Sequence, residues 1–194
     1  MNRIPYGLLA ACLLLGAHTG AAAQTSAQTS AGTDARELGH GYAMLNTAFS
    51  QFRHLDWVLL LKREDAQVGK LIQGLASEAG MLGDGLQELA EAQPPIDLHD
   101  QGLPRFEAAK RKALIRSRGL ELGTPLLGKT GRPMERQALL SLAAAINQQR
   151  FLIQVMLPEE GMPDRKAWLE RAKQSLDRLH ADFEALLEAQ YFRP

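Results

Sequence analysis

Four long stretches of this chain place apolar residues at alternating steps of four and three, the spacing that lines up side chains along one face of an α-helix. Leu38, Tyr42, Leu45, Phe49, Phe52, Leu55 and Leu59 make the first stripe. Val68, Ile72, Leu75, Ala79, Leu82, Leu86 and Leu89 make the second, which stops at Pro94-Pro95 because proline lacks the amide that the next turn would need. After Pro133 come Leu139, Leu142, Ile146, Ile153 and Met156, ending at Pro158. The last stretch follows Pro163-Asp164, with Asp164 expected as its N-cap, and carries Leu169, Ala172, Leu176, Leu179, Phe183 and Leu186. A shorter segment lies in the middle: it opens at Pro104, carries Phe106, Ala109, Ala113, Leu114 and Leu120, and breaks at Gly123-Thr124-Pro125. No alternating strand pattern of useful length competes with these.

The long segments each predict about 40 Å of helix at 1.5 Å per residue. Helices of equal length bury such stripes by packing at small crossing angles, so the expected fold class is all-α, an antiparallel helical bundle. Short links make hairpins of the first two and of the last two long helices. The connection between the hairpins is long, which predicts a four-helix bundle of ferritin-like topology with the shorter segment as a fifth, crossover helix. The second helix carries Gly69, Gly74, Gly80, Gly83 and Gly85, each costing about 0.5–1 kcal/mol relative to alanine. Either they let a neighbour pack closely, or they loosen the helix for a ligand or partner.

The two ends of the chain differ from its middle. Arg3, the Leu/Ala-rich run Leu8–Leu15 and Ala21-Ala22-Ala23 have the layout of a secretory signal peptide over residues 1–23, cut before Gln24. Leu9-Ala10-Ala11-Cys12 also fits a lipobox, which would make Cys12 a lipid anchor instead. Residues 24–35, QTSAQTSAGTDA, are too polar and small to bury surface and read as a flexible linker; residues 36–194 then form one bundle domain. The expected address is periplasmic or secreted. No stretch of the mature chain is apolar enough for a transmembrane helix. Cys12 is the sole cysteine, which excludes a disulfide scaffold and a cysteine zinc site. Lys and Arg total 22 against 22 Asp and Glu, a balance that excludes a general nucleic-acid binder.

Gly123–Thr130 spells the phosphate-loop pattern G-x-x-x-x-G-K-[ST]. That chemistry needs a strand before the loop and a helix starting at the lysine, and neither is present, so no nucleotide is expected. His40 and Met44, one turn apart, suggest b-type haem ligands, but a parallel first and last helix puts Met44 and His180 at different heights. The same arrangement brings His54 level with His180, so His54, Asp56 and His180 are candidate ligands for a single metal ion. A full di-iron site is excluded: it draws acids from all four helices, and the second has none from Ala66 to Ser77. No catalytic constellation is found: the mature chain has no cysteine nucleophile, no G-x-S-x-G and no acid–base pair. Acids Glu78, Asp84, Glu88, Glu91, Asp97 and Asp100 precede the bases Arg105, Lys110, Arg111, Lys112, Arg116 and Arg118. The two runs either screen each other or leave a basic patch for an anionic partner. Trp57–Leu61 is apolar all round, which suits burial, a dimer seam or a ligand groove.

Three stretches carry a family likeness: Ala66–Ala76, Thr130–Arg136 and Ala167–His180. In them the chain resembles the exported ferritin-like helical bundles of many Gram-negative bacteria, a group whose function is not established. Members of that group often carry histidines in helices two and four, where this chain has Ser77–Gly80 and Ala145–Gln148, which removes the main reason to infer metal chemistry. The expected function is therefore a non-enzymatic, periplasmic interaction or stress-associated module, without cofactor, that engages a protein partner or forms a homodimer. The alternative is a bundle that binds a small ligand, a metal or haem.

Overall fold

A computed structural model describes residues 19–55, 65–92, 94–103, 109–110, 112–113 and 131–192, with side chains from 35 onward. The regular structure among the described residues is helical, with no strand: α1 (Thr19–Arg53), α2 (Ala66–Glu91), α3 (Arg132–Met156) and α4 (Pro163–Leu187), followed by a π-helical turn over Glu188–Phe192. Of the expected crossover helix only 109–110 and 112–113 are described; they are helical, with Ala109 and Ala113 exposed. The chain divides into two compact units, Met1–Arg36 and Glu37–Pro194, and the packing below is that of the second. No described helix is long and apolar enough to cross a membrane.

The stripes are the core. Tyr42, Leu45, Phe49 and Phe52 of α1 meet Val68, Ile72, Leu75, Ala79, Leu82 and Leu86 of α2. Leu139, Leu142, Ile146, Ile153 and Met156 of α3 and Leu169, Ala172, Leu176 and Phe183 of α4 complete it. Each large side chain so buried contributes about 1.5–3 kcal/mol. Trp168, one position before the α4 stripe, is buried too, with its ring centroid 6.2 Å from those of Tyr42 and Phe49. A Cβ at Gly85 would stand 3.2 Å from Trp168 Nε1, and one at Gly41 2.7 Å from Met156 Sδ. Close approach therefore explains Gly85, whereas Gly74 faces open space.

Helix ends follow local chemistry. Asp65 caps α2, its carboxylate accepting from Gln67 N at 2.7 Å and Val68 N at 3.2 Å. Gly131 is the N-cap of α3 at φ 88°, a left-handed conformation that glycine adopts without a Cβ clash. The N-cap of α4 is Met162 rather than the expected Asp164, because Pro163 takes the first helical position; Asp164 instead places its charge in the first turn. The first stripe predicts helix through Leu59, but α1 ends at Arg53, His54 and Leu55 form a turn, and Leu59 lies outside the described residues.

Contacts fix the helix directions. Asn46 bonds Gln87 and Arg53 bonds Asp84, so α1 and α2 are antiparallel. Arg150 meets Asp177 near the middle of α3 and α4, and Arg132 reaches the Gln190 carbonyl, so these two are antiparallel as well. Asp65 N donates to Glu135 Oε1 at 2.9 Å, which puts the start of α2 beside the start of α3. These two helices therefore run parallel.

Candidate functional site

The α3 stripe extends one turn beyond its apolar residues at each end, and both extra positions are glutamates. Glu135 stands four residues before Leu139 and Glu160 four after Met156; they are 3% and 5% exposed. A carboxylate this deep is tolerated only when its oxygens find donors. Glu160 Oε2 accepts the Tyr42 hydroxyl at 2.7 Å and its Oε1 accepts Met162 N at 2.8 Å. Glu135 Oε2 accepts the Tyr191 hydroxyl at 2.9 Å, and its Oε1 takes Asp65 N. Each glutamate thus holds one tyrosine and the N-cap amide of one helix. Burial, then the hydrogen bond to Glu160 and its charge, push the Tyr42 hydroxyl far above the ordinary phenol range. Partial burial, then the bond to Glu135 and its charge, push the Tyr191 hydroxyl up to about 12. Both carboxylates are committed to holding helix ends together.

Between these ends the outer face of α3 is unusual. From Gln137 to Pro158 the sole charged residue is Arg150, and its guanidinium is tied to Asp177 Oδ1 at 2.6 Å and Asn147 Oδ1 at 2.9 Å. The exposed residues are Gln137, Leu140, Ser141, Ala144, Gln148, Phe151, Gln154, Val155 and Pro158. Phe151 is 57% and Val155 66% exposed. α4, of the same length, exposes Asp164, Lys166, Glu170, Arg171, Arg178, Asp182 and Glu184. Beside Leu140, Ala143, Ala144 and Asn147 runs an open groove of about 330 Å³, walled by His180, Glu184 and Leu187 of α4 and by Glu188 and Phe192 of the terminal turn. The Phe192 ring lies 4.6 Å from the Arg136 guanidinium.

The three candidate metal ligands fall in different settings. His54 is exposed in the turn after α1, and Asp56 lies outside the described residues. His180 is half-buried on α4, its Nδ1 3.3 Å from Glu184 Oε2, on a groove wall to which His54 does not belong. Among the described residues no three His, Cys, Asp or Glu side chains come together to hold a metal ion. His40 packs its ring on Gly102, with Nε2 3.4 Å from Asp100 Oδ2, and Met44 is half-buried one turn on. The phosphate-loop match, the Trp57–Leu61 cluster and most of the basic run lie outside the described residues. Sequence reasoning missed Glu135 and Glu160 as buried groups, although acids in phase with an apolar stripe are a readable signal. It also missed the uncharged outer face. No family model, no curated protein and no solved structure matches this chain.

Proposed function

We propose that this protein is an exported, non-enzymatic interaction module of the periplasm, a ferritin-like helical bundle that docks through its α3 face. The topology is supported by the helix directions: α2 and α3 start at one end, and α1 and α4 each run antiparallel to a neighbour. Export is supported by the signal-like residues 1–23, and the non-enzymatic interaction or stress-associated reading by the long amphipathic helices and by a sequence that offers no catalytic constellation. The observation that carries the reading is the α3 face, whose sole charge from Gln137 to Pro158, Arg150, is paired with Asp177, and which exposes a phenylalanine and a valine. Depletion of charge with aromatic enrichment is what distinguishes the centre of an interface from ordinary surface.

The test is the native mass of the chain in periplasmic extract, beside a Phe151→Glu/Val155→Glu variant. The wild-type chain is expected in an assembly larger than itself, and the variant at the mass of the single chain with unchanged circular dichroism. A wild-type chain that migrates alone, or one retained in the cytoplasm with residues 1–23 intact, overturns the proposal.

A further inference from the structure

Resting on the interaction reading above, we infer that the occupant of the α3 face is a second copy of this chain, paired antiparallel across a twofold axis beside Asn147 and Gln148. The face is complementary to itself. Reflecting positions about the point between 147 and 148 exchanges Ala144 with Phe151, Leu140 with Val155, and Gln137 with Pro158. Under that operation the largest exposed side chain of one copy meets the smallest position of the other. An isologous dimer needs this relation, since each contact occurs twice.

The groove supplies the receptacle. It opens beside Ala144, on the side of α3 that faces α4, and its volume is about 330 Å³. A site of about 150 Å³ already holds a benzene ring, so the partner's phenyl group fits between Ala144 and Leu187. Charge permits the same pairing. With Arg150 paired to Asp177 at 2.6 Å, α3 itself brings no unpaired charge to the seam from Gln137 to Pro158, and the acids Glu184 and Glu188 stand on the groove wall. The strip from Gln137 to Pro158 is about 32 Å long and about 11 Å across. That is about 350 Å² per copy, so even with the groove walls added the contact stays below the standard size of specific interfaces, and a weak dimer that dissociates on dilution is expected.

The experiment is sedimentation of the purified full chain across the micromolar range, combined with cysteine cross-linking in a Cys12→Ser background. A dimer that dissociates on dilution is expected, and Phe151→Glu should weaken it at least tenfold without altering circular dichroism. Oxidation should cross-link Gln148→Cys, whose two copies face each other at the axis. Leu140→Cys alone should not cross-link, because its copies stand about 22 Å apart along the helices, whereas Leu140→Cys/Val155→Cys should. A chain that stays monomeric, a dimer indifferent to Phe151→Glu, or a dimer in which Gln148→Cys fails to cross-link overturns the inference. If the purified chain is monomeric while the face variant still dissolves the assembly in extract, the second copy is refuted and the interaction reading survives.

Discussion

At one end of α3, Glu160 holds Tyr42 and the first amide of α4; at the other, Glu135 holds Tyr191 and the first amide of α2. The bonds are alike, but their surroundings are not. Tyr42 is 1% exposed and packs on Trp168, in the middle of the core contributed by α1 and α4. Tyr191 is half-buried on the terminal π turn, next to the Arg132 guanidinium. Depth therefore separates the two pairs. The Tyr42 hydroxyl stranded beside Glu160 would be buried, whereas the Tyr191 hydroxyl stranded beside Glu135 belongs to a half-buried residue with solvent within reach. The same two residue types make a core element at one end and a latch for the C-terminal segment at the other.

The comparison breaks most sharply under truncation. Glu160→Ala strands the Tyr42 hydroxyl and the Met162 amide and should cost about 2–3 kcal/mol in denaturant unfolding, against about 1 kcal/mol for Glu135→Ala. Equal losses would show that depth does not separate the pairs. Alkaline titration tests the same contrast more gently. Tyr191 ionises at about 12 in the fold but near 10 when unfolded. Between those values the folded state binds more protons, so the stability from this pair is complete below pH 10 and is lost as pH rises through 12. The thermal midpoint of Tyr191→Phe should fall less steeply over that window than that of the wild type; parallel curves would refute the coupling. The smallest effect belongs to Asp177, which lies at neither end. Partial burial would raise its carboxyl, but bonds from Lys173 and Arg150 outweigh this and hold it below the usual carboxylate range. Its contribution is thus present above the ordinary value and lost as pH falls below it. Because the pair is about a third exposed, Asp177→Asn should cost under about 1 kcal/mol at neutral pH and flatten the acid limb of the stability curve.

Much of this was legible in the chain. The stripes named the core almost residue by residue, from Tyr42 through Phe183, because a helical period leaves one face to bury. Glu135 and Glu160 were legible in principle, each in phase with the stripe of α3 and one turn beyond it. The N-cap of α4 was not: Asp164 has the right chemistry, and the competing choice of Pro163 at the first helical position depends on where the hairpin closes.

The sequence by itself determined that the chain forms long helices, which face of each is buried, and that no strand competes, since periodicity and proline are local properties. Only the tertiary structure decided which tyrosine meets which glutamate, because Tyr42 and Glu160 are 118 positions apart and meet where two separate helix ends converge. It also decided that Arg150 is spent on Asp177, and so that a whole outer face is left without charge. Pairings of that kind are set by the geometry of neighbouring helices, and no local pattern carries them.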